Sequence, residues 1–215
     1  DAIERSYQKV GWDLRNSESE KGVFPTFFDL LDILPGVIEE SHYSKDTQSD
    51  YVGALCTRVK SLTNGIYGSV FCAEDALSDA ELFDCNVVVD LSRVGSMETK
   101  SLLMGILVMK LQEYRMCGSE MNSRLRHVTV LEEAHNLLRK TSAEQSQEGA
   151  NLQGKSVEML ANAIAEMRTY GEGFIIADQA PGLLDMSVIR NTNTKIILRL
   201  PDEEDRKLVG KSAAL

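Results

Sequence analysis

Residues 127–135 read His127-Val128-Thr129-Val130-Leu131-Glu132-Glu133-Ala134-His135. The first five form a short, largely β-branched and apolar run, the pattern of a strand buried in a parallel sheet. Two carboxylates follow where the apolar run stops, and a helix is predicted from about Ala134. In an open α/β sheet, ligands bind outside the carboxyl ends of the strands. Successive strand side chains point to opposite faces, so adjacent carboxylates there aim in different directions. One can hold Mg²⁺ through its water shell while the other polarises an attacking water, the division of labour that nucleotide hydrolysis asks of a protein. Two solvated glutamates favoured by a helix dipole explain the pair equally well from these residues alone.

The same kind of run recurs on either side. Asn86-Val87-Val88-Val89-Asp90-Leu91 predicts an earlier strand, Gly173 to Asp178 a later one and Lys195 to Leu200 a last one. Helices are predicted from Glu98 to Arg115, from Ser156 to Tyr170 and from Pro201 to about Gly210. Strands alternating with helices imply an α/β fold with a parallel sheet and right-handed crossovers. Thr141 to Gly154 is polar and aperiodic and reads as a mobile loop. Phe174-Ile175-Ile176-Ala177-Asp178-Gln179 ends at the same sheet edge as Glu132 and Glu133, so the Gln179 amide can orient a water there. An ordinary turn residue before Ala180-Pro181-Gly182 is the other account of Gln179. Asp90, ending the first strand, reads as structural.

The first eighty residues read as helical. Ile3, Tyr7 and Val10 recur at helical spacing up to Gly11. Thr26 predicts an N-cap, with Asp29 three residues on in a loose capping-box pattern, and Pro35-Gly36 should end or kink that helix. A third helix is expected from Asp50 to Leu62, stopping at Asn64-Gly65. Ile66 to Cys72 reads as a short extended piece. The chain therefore divides into a helical part, 1–82, and a sheet part, 83–215.

The 215 residues carry 33 Asp and Glu against 23 Lys and Arg, a net charge of −10. That balance argues against a free-standing duplex-DNA binder, which needs a basic face. A ring touching nucleic acid through a few loops in a central channel is compatible with it. No stretch approaches eighteen unbroken apolar residues, so no membrane span is expected. The first residues, Asp1-Ala2-Ile3-Glu4, show no basic, apolar leader. Four cysteines (56, 72, 85, 117) without metal-ligand spacing predict reduced, mostly buried thiols and a cytoplasmic setting.

Leu131-Glu132-Glu133-Ala134-His135-Asn136-Leu137-Leu138 resembles the Walker B segment of the HerA branch of the HerA/FtsK superfamily. So does Met167-Arg168-Thr169-Tyr170-Gly171, followed by the strand ending Asp178-Gln179-Ala180-Pro181. Ile189-Arg190-Asn191-Thr192 and then Lys195 to Leu200 are similar to the family's closing strand. The likeness runs from about Val87 to Leu208 in the family's motif order, and conjugative type IV secretion ATPases share much of it. It implies a RecA-like P-loop NTPase sheet flanked by helices, with ATP and Mg²⁺ as cofactors. Glu132 would take the Walker B acidic place and help hold Mg²⁺ and nucleotide. Glu133 would be the catalytic glutamate and Gln179 the sensor. Arg168 falls where such rings lend an arginine to the neighbouring subunit's nucleotide, a contribution worth roughly 10³–10⁵ in rate in other nucleotide hydrolases. A helix-terminal cation complementing the dipole is the other account of Arg168. Arg199, on the last strand, would also face nucleotide.

The departure from the family is the phosphate loop. No G-x-x-x-x-G-K-[ST] occurs, and that loop's amides and lysine are what cradle the phosphates. Gly95 to Ser101 is one residue short and carries Glu98 where phosphate would lie; Gly210-Lys211-Ser212 has Asp205 where the first Gly belongs. In the family the P-loop strand precedes a helical insertion, which 1–82 would then be. The expectation is an incomplete core: the C-terminal part of a hexameric, DNA-translocating ATPase, inactive by itself. If the strand order is RecA-like, the strands at 173–178 and 195–200 either close on each other or recruit a partner strand. The alternatives are a non-catalytic α/β interaction module and a piece of a type IV secretion ATPase. Nothing in the residues chooses DNA over protein as cargo.

Overall fold

A computed structural model describes residues 1–19, 22–73, 76–140 and 149–213, with the backbone alone for 149–154. The chain separates into two compact units, Asp1–Ala76 and Leu77–Leu215.

The first unit contains four helices and a two-stranded hairpin. Helix α1 spans Ala2–Lys9, and strands β1 (Trp12–Asp13) and β2 (Glu18–Ser19) pair antiparallel. The hairpin has no counterpart in the sequence reading. Asp13 builds its turn by accepting from the Arg15 N–H at 2.9 Å and the Asn16 amide at 3.0 Å. Trp12 then lies against Phe24, ring centroids 4.9 Å apart. Helix α2 (Phe27–Glu39) starts with the full capping box expected at Thr26 and Asp29. It does not stop at Pro35. The lost N–H costs one hydrogen bond, but the helix packs between α1 and α3 (Lys45–Thr63) along its length. Lys9 also ties α1 to Asp29 and Asp32 of α2. Residues 66–72 are not extended, as α4 occupies Gly65–Phe71. The β-branched content there yields to packing, with Phe71 edge-on to Phe27 at 5.6 Å.

The second unit is α/β, with a small two-stranded parallel sheet flanked by helices. Helix α5 (Asp79–Phe83) is followed by α6 (Met97–Gly118), then β3 (His127–Glu132), α7 (Gly149–Met167), β4 (Glu172–Ala177), α8 (Met186–Asn191) and α9 (Glu203–Ser212). Ser96 caps α6, its Oγ accepting from the Thr99 N–H, so the Gly95–Ser101 stretch is a helix start. Gly210-Lys211-Ser212 lies within α9. Ala134–Asn136 is a single 3-10 turn in place of the helix expected there. Within the segment read as a mobile loop, 149–154 are helical, and 141–148 lie outside the described residues.

Strands β3 and β4 pair in register from His127↔Glu172 to Glu132↔Ala177. One face of the pair carries Thr129, Leu131, Phe174 and Ile176 toward a core that includes Met104, Val108, Leu111, Leu138, Leu160 and Met167. Gly171 (φ 83°) makes the turn into β4, where a Cβ would meet the Arg124 carbonyl oxygen at 2.5 Å. The other face, with Val128, Val130 and Ile175, is exposed. A parallel sheet is ordinarily covered on both faces, so the expectation of strands buried on both sides holds for one side only.

The segments 86–91 and 195–200 are not strands. Val88 is 93% exposed, Ile196 89% and Leu198 84%. Among the described residues, β4 pairs with β3 alone, so 173–178 and 195–200 do not close on each other. An apolar β-branched run forms a ladder only where a neighbour supplies the hydrogen-bonding edge, and these two runs have none. The thiols also differ from expectation. All four are unpaired, but Cys85 and Cys117 are exposed and Cys56 and Cys72 only partly buried.

Candidate functional site at the carboxyl edge of the sheet

Glu132 is the last residue of β3 and faces Ala177, the last of β4. Glu133 follows the first strand, and Asp178 and Gln179 follow the second. The ladder therefore brings Glu132, Glu133 and Gln179 to one edge, all three exposed. Alternation puts Glu132 on the open face with Val128 and Val130.

Glu133 sits in the left-handed region, φ 47°, ψ 49°. For a residue with a Cβ, that backbone costs on the order of 1–2 kcal/mol relative to the right-handed one. The left-handed step turns the chain sharply out of β3, and the Glu133 carbonyl accepts from the Asn136 N–H at 2.9 Å. Ala134, next in line, is fully buried. A glycine would make this turn without strain, yet the position carries a carboxylate.

Asp178 joins the two turns. Its Oδ2 accepts from the His135 main-chain N–H at 2.8 Å and lies 2.9 Å from the His135 ring Nδ1. Its Oδ1 accepts from the Ala180 N–H at 2.9 Å. Sequence reading missed this residue, although an acidic residue directly before the candidate sensor was a usable signal. His135 also lines a cleft of about 810 Å³ with Ser101 and Ile106 of α6, Arg139, and Val157 and Leu160 of α7.

The two arginines are elsewhere. Arg168 is exposed in the 3-10 turn Arg168–Tyr170, which precedes β4. It lies before β4 and Gln179 after it, so the six-residue strand, roughly 20 Å long, separates them. Arg168 is not brought to the edge that carries Glu133 and Gln179. Arg199 is exposed in the unpaired segment 195–200. Asp90 has a local structural role, accepting from the Ser92 N–H at 2.8 Å, which holds its carboxyl below the ordinary range.

At the other end of the strands is a buried polar network that no spacing in the sequence announces. Glu172 Oε2 accepts from Arg115 Nε at 2.8 Å, and Oε1 from Thr129 Oγ1 at 2.7 Å, with His127 Nδ1 at 2.8 Å. Arg115 also donates to Asp84 and to the Phe83 carbonyl. Burial opposes its charge, and the hydrogen bonds to Asp84 and Glu172 outweigh that, raising its pKa. The Tyr114 hydroxyl and then Arg115 pull Asp84 below the ordinary carboxylate range. This network positions β3 and β4 and stands apart from the carboxyl edge.

Among the described residues, no cluster of three His, Cys, Asp or Glu is arranged to hold a metal ion. Mg²⁺ ordinarily keeps several waters and takes one or two carboxylates plus substrate phosphates, and an exposed Glu132 fits that donor set. No helix among the described residues is long and apolar enough to cross a membrane. No family model, curated protein or solved structure matches the chain.

Proposed function

We propose that this chain supplies the Walker B and sensor half of a HerA-like, RecA-type ATPase core whose phosphate-binding loop comes from polypeptide outside these 215 residues. The parent is a hexameric ring that couples ATP hydrolysis to movement of DNA. The observation that carries the reading is the β3–β4 register, with Glu132 opposite Ala177 and therefore Glu133 and Gln179 on one edge. A strained backbone at Glu133 adds to it, because such strain persists where function requires the side chain. The unpaired segments 86–91 and 195–200 and the open apolar face suit a sheet that further polypeptide completes.

In this mechanism Mg²⁺, when bound, supplies positive charge against the phosphate oxygens. Glu132 would be the residue that holds it. Glu133 accepts the proton of the attacking water, and Gln179 orients that water by its amide. Arg168, at the far end of β4, serves the nucleotide of an adjacent subunit. Arg199 contacts nucleotide from the last segment. The DNA cargo rests on the family resemblance, and the acidic chain offers no basic stripe of its own.

The test is ATP hydrolysis by the intact protein containing these residues, with and without duplex DNA, beside Glu133→Gln. DNA-stimulated hydrolysis that falls about a hundredfold or more in the variant supports the reading, since a general base contributes typically 10²–10⁴. No hydrolysis by the intact protein leaves the interaction module in its place.

A further inference from the structure

The Asp178 side chain is 3% exposed, and two main-chain N–H donors and one imidazole nitrogen meet it. A charge buried that deeply is tolerable only when its lone pairs are served. Here they are served by the two turns that leave the sheet. Oδ2 takes the His135 main-chain N–H and faces its ring Nδ1, while Oδ1 takes the Ala180 N–H. Glu133 lies two residues before His135, and Gln179 lies between Asp178 and Ala180. One side chain thus pins both turns from within.

The ring contact has a chemical consequence. A carboxylate beside Nδ1 calls for a proton on that nitrogen, so the neutral imidazole carries its hydrogen on Nδ1 and presents a lone pair at Nε2. Nε2 has no hydrogen-bond partner among the described residues, and the His135 side chain is 21% exposed beside the cleft between α6 and α7.

We infer that Asp178 is the positioning residue of this edge. It locks the turns that carry Glu133 and Gln179, and it holds His135 as the Nδ1–H tautomer with Nε2 free to accept a proton or hydrogen bond. The significance for hydrolysis rests on the function proposed above for Glu133 and Gln179. The locking and the tautomer do not.

The experiment therefore uses no nucleotide. In the ¹⁵N-labelled 215-residue protein, long-range ¹H–¹⁵N correlation reads the His135 tautomer at a pH where the same ring-nitrogen shifts show the imidazole to be neutral. The expected spectrum shows a protonated Nδ1 and a pyridine-like Nε2. Amide exchange is followed in the same sample, and in Asp178→Ala, which removes both acceptor oxygens, it should quicken by about tenfold or more at His135 and Ala180 while the β3–β4 ladder keeps its rates. In Asp178→Asn the side-chain amide can donate to Nδ1, so the Nε2–H form should appear in that variant. A His135→Gln chain should keep Ala180 protected, because Asp178 still accepts from it. An Nε2–H ring in the unaltered protein overturns the inference without any variant having to fold. So does unchanged exchange at both turns in Asp178→Ala. Absence of ATPase activity in the parent would count against the proposed function and leave these readings standing.

Discussion

Arg115 and Glu172 meet across 57 residues of sequence, Arg115 Nε donating to Glu172 Oε2 at 2.8 Å inside the second unit. Their side chains are 6% and 0% exposed. Removing one partner leaves Arg115 with Asp84 and the Phe83 carbonyl, or Glu172 with Thr129 and His127, so the loss should lie below the roughly 3–5 kcal/mol of a buried charge left wholly unpaired. Arg115→Met and Glu172→Gln are each expected to lower the unfolding free energy of the second unit, read from denaturant melts, by an amount up to that size. The double variant Arg115→Met/Glu172→Gln should lose less than the two singles summed. Additive losses would mean the pair is not coupled.

Glu133 reverses the ordinary ranking of small residues. At a right-handed position glycine is the less stable replacement, by roughly 0.5–1 kcal/mol relative to alanine. At φ 47° glycine relieves strain and alanine does not. Glu133→Gly should therefore be more stable than Glu133→Ala by about 1 kcal/mol in equilibrium unfolding. Equal stabilities would show that the residue leaves the left-handed region in solution.

Asp84 gives the second unit an acid-sensitive contact. Its carboxyl is held below the ordinary range by the Tyr114 hydroxyl and Arg115. A depressed folded-state pKa contributes stability that is complete above the unfolded value, near 3.9, and is lost as pH falls through the folded value. The melting temperature of the unaltered protein should fall on acidification through that window. Asp84→Asn should start lower at neutral pH and change less across it, as read by thermal melts from neutral pH to about pH 2.

Leu138 is fully buried in the core cluster just past the 3-10 turn. Leu138→Ala should cost roughly 2–5 kcal/mol through lost transfer energy and the cavity left behind. Leu125→Ala, at an exposed position, should fall within about 0.5 kcal/mol of the parent in the same measurement.

The elements legible in the sequence were those whose cause is local. Thr26 and Asp29 announce their capping box by spacing, and the runs at 127–132 and 172–177 announce strands by β-branched content. The edge site was legible for the same reason, since polar residues directly follow apolar strands. What failed depended on a neighbour. Val88 and Ile196 have the composition of strand residues, but a ladder needs a second edge that no local pattern encodes. Pro35-Gly36 was read as the end of the helix or a kink in it, and α2, packed against α1 and α3, runs on through Pro35 to Glu39. Glu172 gathers Arg115, His127 and Thr129 from positions with no common spacing. Glu133 gave no sign of a left-handed backbone, because glycine or asparagine is the usual marker for one.

The most direct measurement is the steady-state ATP turnover of the intact protein carrying this chain, with and without duplex DNA, for the unaltered sequence and Glu133→Gln. The account predicts DNA-stimulated turnover, a loss of about a hundredfold or more in Glu133→Gln, and no turnover by the 215 residues alone. Equal turnover in the unaltered and Glu133→Gln proteins would contradict it.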